Sequence, residues 1–250
     1  MIRLEGVTKR FALPGGGAHV ALDELELEVR RGETLCLIGG SGSGKTTALR
    51  LMNALVQPDA GRVLVDGEDV RERDPIELRR GMGYVVQRGA LFPHLTVEAN
   101  VGLLCRLEGW SDARRRARVE ELLGRVRMPL GEFGARYPRE LSGGQRQRVG
   151  VARALALDPS IVLLDEPFGA LDPITRRQLQ REFAELRREM DRTMVFVTHD
   201  LAEAFLLGDR IALLEGGRLQ QLGTPSELRE RPANAHVAEF VAHNAPGLEA

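Results

Sequence analysis

The stretch "TLCLIGGSGSGKTTALRLM", Thr34 to Met52, decides the fold. Its first residues form a short apolar run that ends in glycines, the pattern of a buried strand. The residues after the glycines read as a helix, "KTTALRLMNAL". Between the two, "GGSGSGKT", Gly39 to Thr46, fits G-x-x-x-x-G-K-[ST] in the strand–loop–helix context the pattern requires. Glycines let the backbone wrap around phosphate oxygens, while its N–H groups and the helix N-terminus favour negative charge. Lys45 adds a point charge, and the Thr46 hydroxyl suits Mg²⁺. The candidate phosphate-binding residues are Gly39, Gly40, Ser41, Gly42, Ser43, Gly44, Lys45, Thr46 and Thr47. A glycine-rich turn that binds nothing would need neither the lysine nor the threonine.

Upstream, "IRLEGVTKRF" and "HVALDELELEVRRG" alternate around the loop "ALPGGG", and Leu22, Leu25, Leu27 and Val29 of the second run suggest an antiparallel strand pair closed by "RRGE". Downstream, "GRVLVDGEDV" reads as a hairpin turning at Asp66-Gly67. "MGYVVQ" reads as a further buried strand ending at Gln87. From about Arg88 to Arg139 strand patterns vanish. "TVEANVGLLCRL" and "DARRRARVEELLGRV" carry apolar residues three and four apart, with Thr96 and Asp112 as expected N-caps. Alternation then resumes with a helix after Ser142, strand "SIVLLDE", helix "PITRRQLQREFAELRREM", strand "TMVFVTH", helix "LAEAFLLG" and strand "RIALLEGGRLQQLG". Asp172 and Pro173 open the long helix, with Leu179, Phe183, Leu186 and Met190 on one stripe. The expected architecture is α/β, a P-loop NTPase core with an N-terminal antiparallel β subdomain and an inserted α-helical subdomain.

The second chemical cluster is "IVLLDEP", Ile161 to Pro167. Four apolar residues make a buried parallel strand that delivers Asp165 and Glu166 at its carboxyl end, where ligands bind in such sheets. Asp165 suits the Mg²⁺ shell. Glu166 suits the polarisation of a water attacking phosphorus, because phosphoryl transfer is mostly positioning. His199 follows the strand "MVFVT" at a comparable place. A lone histidine is usually structural, but at a core strand tip it is a candidate γ-phosphate contact.

Composition narrows the field. A net charge of −1 over 250 residues gives no electrostatic case for nucleic-acid binding. The arginines of "ARRRARVEELLGRVR" alternate with acids and leucines at helical spacing, the pattern of a solvated helix face. Cys36 and Cys105 both lie in apolar runs without metal-ligand neighbours, so neither zinc nor a disulfide framework is expected. The start, "MIRLEGVTKRF", has no apolar signal-peptide core, and no apolar run approaches bilayer length. A soluble, cytoplasmic protein is expected, with any membrane role supplied by a partner.

One motif remains, "ELSGGQRQR", Glu140 to Arg148, a second glycine pair that would present backbone N–H groups to phosphate. With it the chain resembles the ATP-binding subunits of ABC transporters over nearly its whole length, since "LSGGQ" is that family's signature. The resemblance implies a single ABC-type ATPase domain, 1–250, with residues 1–87 and 150–250 as nucleotide-binding core and 88–149 as the helical insertion ending in the signature. It implies a homodimer, or a pair of ATPase subunits, closed head to tail on two MgATP. There Ser142, Gly143, Gly144 and Gln145 of one chain would face the ATP held by the lysine loop of the other. By the same resemblance Phe11 stacks on adenine, Gln87 senses Mg²⁺ and the attacking water, and Asp172 of "GALD" crosses to the partner. Glu166, His199 and Gln87 are then the catalytic group, and Thr46, Gln87 and Asp165 the metal ligands. Gly40 and Gly169 stand where many relatives have proline and serine, changes that touch no liganding side chain.

In this family the insertion after Gln87 grips a membrane-spanning permease, and Leu91, Phe92, Leu95 and Val97 of "RGALFPHLTVEANV" are apolar residues suited to that contact or to packing the insertion itself. The resemblance thus places the protein in the cytoplasm, peripheral on the inner membrane face, served indirectly by an extracytoplasmic solute-binding protein. "LRLMNALVQPDAGRVLVDGEDV", "DPIELRRGMGYVVQRGALFPHLTVEANV" and "PANAHVAEFV" look most like the ATPases of glycine betaine, choline and carnitine importers. Many of those continue into paired cystathionine-β-synthase-type domains, whereas this sequence stops at Ala250, a departure that leaves osmotic regulation through the ATPase open. Import of polar amino acids or another small solute is the alternative. ABC ATPases of DNA or ribosomes carry coiled coils, zinc modules or two domains, none of which is read here.

Overall fold

The computed structural model describes residues 1–86 and 90–244. In chain order the strands and helices begin β1 Ile2–Ala12, β2 Ala18–Val29, β3 Thr34–Ile38, α1 Lys45–Met52, β4 Ala60–Val65, β5 Glu68–Asp69, α2 Pro75–Arg80 and β6 Met82–Val85. Helices follow: α3 Val97–Val101, α4 Leu103–Leu107, α5 Asp112–Arg125, α6 Leu130–Phe133 and α7 Gly143–Ala154. The chain continues with β7 Ile161–Asp165, α8 Pro173–Arg188, β8 Thr193–Val197, α9 Leu201–Leu207, β9 Arg210–Glu215, β10 Arg218–Gly223, α10 Pro225–Glu230 and α11 Ala235–Asn244. Two compact units result, Met1–Arg79 with the chain from Thr193 onward, and Arg80–Arg192.

In the first unit an antiparallel sheet runs β2-β1-β4-β5. Its buried residues change parity along the two longest strands, from Ile2 and Leu4 to Val7 in β1 and from Leu22 to Leu25 in β2. The β1–β2 ladder slips at these places, between Leu4 and Val7 and again up to Arg10. A bulge moves the inward set by one residue, which keeps both halves of each strand on the core. The unit's second ladder places β3 between β9 and β8, parallel to both, with β10 antiparallel on β9. All five residues of β3 and of β8 are buried, as covered parallel strands require. The run 210–223, expected as one strand, is a hairpin that turns at Gly216-Gly217, both at positive φ. Asp66 and Gly67 also have positive φ, and the expected hairpin turn is there.

In the second unit β6 pairs in parallel with β7, and α7 packs on β6. The carbonyls at the end of α7 are met by Arg118 of α5, which donates from Nη2 to Leu155 O at 2.9 Å and from Nε to Ala156 O at 3.2 Å. Its guanidinium also meets Asp158 at 3.1 Å, so one arginine of the basic run caps a helix C-terminus. Arg148 of α7 and Glu182 of α8 pair at 2.6 Å with both side chains largely covered. Burial pushes the Cys105 thiol up from its ordinary value, which leaves it a packing residue.

Several local expectations need correction. Asp112 is the first helical residue of α5, and the cap is Ser111, whose hydroxyl accepts from the Arg114 amide. The helix expected over 96–107 keeps its Thr96 cap but breaks at Gly102 into α3 and α4. Met190 lies beyond α8, so the buried stripe stops at Leu186. Val97 is fully buried and packs the unit, whereas Phe92 is exposed.

The 92–96 segment is held by a residue the sequence did not single out. Asn100 is wholly buried; its Nδ2 donates to the carbonyls of Phe92, Leu95 and Thr96 at 3.0–3.1 Å, and its Oδ1 accepts from the Phe92 amide at 2.8 Å. Asn100→Ala should destabilise the chain by about 2–3 kcal/mol, because buried backbone groups lose their partners. Urea unfolding measures it, and a loss below about 0.5 kcal/mol would show that the segment re-pairs by itself.

Candidate nucleotide site

β3 ends at Ile38 and the chain turns at once into the glycine loop. At Gly39, φ is 143°, and a Cβ there would lie 2.1 Å from the Leu214 carbonyl oxygen. At Gly44, φ is 98°, and a Cβ would lie 2.4 Å from the Ala21 oxygen and 2.5 Å from Leu22 Cδ2. These two positions admit only glycine, on conformation and on space alike. Between them the Ser43 amide donates to Gly40 O at 3.3 Å, closing a turn whose tip, Gly40 to Gly42, is exposed. The buried Lys45 ammonium donates to Gly39 O at 2.9 Å, Gly40 O at 2.7 Å and Ser43 Oγ at 3.2 Å. A buried ammonium needs acceptors on its three donors, and the loop supplies them. Thr46 and Thr47 follow, half-buried, in the first turn of α1. Gly44, at the N-cap of that helix, has no side chain with which to cap it. A helix N-terminus following a glycine loop is the arrangement that receives an anion.

In the same unit Thr198, just past β8, donates its amide to Leu37 O at 3.1 Å. His199 is thus exposed at the carboxyl edge of the ladder from which the glycine loop also leaves. Phe11 lies on β1 opposite His19 of β2, exposed rather than in the core. Lys9 Nζ lies 5.5 Å from its ring centroid and pairs with Asp59 at 2.9 Å. That bond and the Arg10 amide hold the Asp59 carboxyl below its ordinary value.

In the second unit Asp165 closes β7 and is buried. Glu166 has φ 43°, a left-handed conformation that is costly for a residue with a Cβ and gathers at functional sites. The Gly169 amide donates to its carbonyl at 3.2 Å, so the turn after the strand is closed on itself. Asp172 caps α8 by accepting from the Thr175 amide at 3.0 Å. Hydrogen bonds from Thr175 hold its exposed carboxyl below the ordinary aspartate value. Ser142 and Gln145 form a reciprocal cap at the start of α7: the Gln145 amide donates to Ser142 Oγ at 3.2 Å, and the Ser142 amide to Gln145 Oε1 at 2.8 Å. The Ser142 hydroxyl keeps its own proton for an outside acceptor. A Cβ on Gly144 would lie 2.8 Å from Thr175 Cγ2, so the glycine lets α7 approach α8 closely. Gln87 lies outside the described residues.

Two arginines escaped the sequence reading. Arg176 donates to Gly169 O and Leu171 O at 3.3 and 3.1 Å, and Arg146 donates to Leu141 O at 2.6 Å. Each pins the loop just before its own helix, and a basic residue four places after an N-cap was the available signal. A cavity of about 290 Å³ between α5, α7 and α8 is lined by none of the expected site residues, and its rim is internally ion-paired, Arg127 to Glu182 and Glu185 and Arg148 to Glu182. Among the described residues there is no cluster of three or more His, Cys, Asp or Glu able to hold a metal, and no helix long and apolar enough to cross a membrane.

A buried strand feeding a glycine loop, with a lysine and a threonine opening the next helix, defines a P-loop nucleotide-binding protein. A family model described as ABC transporter matches residues 22–169, and the chain belongs to that family. A glycine betaine/carnitine/choline transport ATP-binding protein of Bacillus subtilis is 49% identical over 96% of this chain and 62% of its own length. A sulfate/thiosulfate import ATP-binding protein of Xanthomonas campestris is 48% identical over 99% of this chain and 71% of its own. Among solved structures, a dimeric post-hydrolysis state of an ATP-binding cassette bound to ADP and Pi matches with TM-score 0.80 and 34% identity, covering 90% of this chain and 99% of that one. The chain spans between 59% and 64% of the length of the first osmoprotectant, choline and carnitine relatives it matches, and 79% of a glycine betaine uptake ATP-binding protein of Escherichia coli.

Gly44→Ala should weaken binding of a fluorescent ATP analogue at least about tenfold, since the added carbon collides with backbone and would force the loop open. Gly42→Ala, also at positive φ but with open space around its Cβ, adds backbone strain without a collision and should cost less. Equal affinities for the two variants would mean that loop shape does not set binding.

Proposed function

We propose that this chain is the ATP-hydrolysing subunit of an importer for osmoprotectants of the glycine betaine, choline and carnitine class, working as a head-to-tail pair on a membrane permease. Residues 1–250 are one ATPase domain, with 88–149 as its helical insertion, held at the inner membrane face by the permease and fed by an extracytoplasmic solute-binding protein. The observation that carries the reading is the pairing of a formed lysine loop with a formed signature cap in a chain 49% identical to a glycine betaine/carnitine/choline transport ATP-binding protein. The dimeric form of the matching cassette structure supports the pairing.

In this reading the loop amides from Gly39 to Thr47 and the Lys45 ammonium bind the β- and γ-phosphates, and Phe11 offers its exposed ring to adenine. The hard oxygens of Thr46 and Asp165, with Gln87, fit Mg²⁺, which uses few protein ligands beside substrate phosphates. When bound, the ion neutralises charge on the phosphate oxygens. Glu166 orients the attacking water and accepts its proton, and His199 donates to the γ-phosphate. Ser142, Gly143, Gly144 and Gln145 act on the partner's nucleotide, the serine through its free proton, the glycines through amides at the α7 N-terminus and Gln145 by holding the cap. Asp172 crosses to the partner. Closure adds charge-assisted bonds to the γ-phosphate, and hydrolysis removes the atoms they hold.

The sulfate/thiosulfate relative, at nearly the same identity, supports a second reading in which the solute is another small molecule. Glu166→Gln should lower ATP turnover by about 10³-fold while leaving an ATP-dependent dimer on size-exclusion chromatography. A monomer in MgATP would count against the paired mechanism. Uptake of labelled glycine betaine, choline and sulfate by the host, with and without the gene, separates the solutes: loss of sulfate uptake alone selects the second reading.

A further inference from the structure

The carboxylate of Glu203 is buried on α9, yet none of the roles above uses it. Burying a carboxylate is costly unless its hydrogen bonds are met, and an apolar side chain would fill the same place beside Leu201, Ala204 and Leu207 more cheaply. Its Oε2 accepts from the Thr198 hydroxyl at 2.5 Å. The same hydroxyl oxygen accepts from the Asp200 amide at 3.0 Å, and the Thr198 amide donates to Leu37 O of β3 at 3.1 Å. Asp200 in turn accepts from the Ala202 and Glu203 amides at 2.8 and 3.2 Å. His199 therefore sits between two residues whose positions are each fixed by several bonds, while its own ring is exposed. One bond of this set ties the turn to the strand that feeds the glycine loop, and another ties it to the buried carboxylate.

We infer that Glu203 is a positioning residue for His199, acting through the Thr198 hydroxyl to hold the imidazole at the carboxyl edge of β3 and β8. The inference rests on the proposed role of His199 at the γ-phosphate. The hydroxyl donates its one proton to Glu203 and receives the Asp200 amide on a lone pair, so the carboxylate fixes the rotor and the rotor fixes the turn. Without the carboxylate the hydroxyl is free to rotate and the turn keeps one anchor fewer. Binding of ATP depends on the glycine loop and Lys45 and should be little affected, whereas a misplaced histidine lowers the rate of the chemical step.

The test is steady-state and single-turnover ATPase kinetics of Glu203→Ala, Glu203→Gln, Thr198→Val and His199→Ala, each in the full chain with its melting temperature. Glu203→Ala and Thr198→Val should each lower kcat about tenfold with KM for ATP within about twofold, the effect of losing one charge-assisted bond at a positioning group. Glu203→Gln, whose amide oxygen still accepts from Thr198, should keep most of the rate. Combining Glu203→Ala with Thr198→Val should be no worse than either alone, because both break the same bond. Adding Glu203→Ala to His199→Ala should leave the single-turnover rate of His199→Ala unchanged. Wild-type kcat in both Glu203→Ala and Thr198→Val, or a further tenfold loss in the His199→Ala background, overturns the inference. Wild-type turnover in His199→Ala alone instead overturns the proposed role of His199. If Glu203→Ala fails to fold, Thr198→Val and Glu203→Gln decide the matter, with tenfold loss and near-full activity expected respectively.

Discussion

The lysine loop depends on one constraint, that β3 leaves no face for water. Each of its five residues is buried, and neighbours on both sides satisfy the backbone in parallel ladders. Slipping that strand would break the ladders on both sides and press each side chain into a space shaped for its neighbour. The turn that follows is therefore launched from a fixed point. The close contacts at Gly39 and Gly44 are with backbone oxygens of β9 and β2, so the loop is shaped by the same sheets that bury the strand. Lys45 completes it from within by bonding to the turn's own carbonyls. Rigidity of this kind sets the loop backbone in place before any anion arrives.

The second unit repeats the principle with carboxylates. β7 is as buried as β3 and ends in Asp165, after which Glu166 takes a left-handed conformation. Helices α7 and α8 are pinned at their starts by their own caps, Ser142 with Gln145 and Asp172 with Thr175. Arginines one turn on, Arg146 and Arg176, then bond back to the loops before the caps. At the far end of α7 a third arginine, Arg118, satisfies the last carbonyls. In both units the candidate site positions fall where a rigid element starts or stops; Ser142, Gln145 and Asp172 brace those ends themselves, and Arg118, Arg146 and Arg176, none of them a candidate site residue, add to the bracing.

The glycine loop, the strands around it and the helix after Ser142 were legible because each is a local pattern with one physical meaning. A lysine behind spaced glycines encodes its own geometry, whereas the reciprocal Ser142–Gln145 cap emerged only from the structure. The hairpin at Asp66-Gly67 was legible for the same reason. What stayed hidden depends on contacts between residues far apart in sequence, or on competition between adjacent candidates. Ser111 and Asp112 are both good caps, and only the backbone conformation selects the serine. Gly102 breaks a helix whose apolar periodicity runs straight through it. Asn100 and Glu203 look like ordinary polar residues on amphipathic helices, and only burial shows that each organises a turn.

Similarity to a betaine-class transporter subunit at 49% and to a sulfate one at 48% has a physical reason. Residues that handle phosphate face the same chemistry whichever solute moves, so the constraints that fix β3, β7 and their loops carry no information about it. Under the proposed mechanism, whatever distinguishes the importers must lie where the ATPase meets its permease. Under that same mechanism the exposed Phe92 would be a candidate for that contact. Arg153 stands over its ring at 5.6 Å and bonds to Ala90 O at 3.0 Å, and burial lowers the arginine's pKa from its ordinary value. Asn100 grips the backbone of the same aromatic residue. An aromatic held by a cation and an amide presents a defined apolar surface at little entropic cost. Partner choice would then be carried by the side chains of the 91–95 segment, on a backbone that Asn100 holds constant.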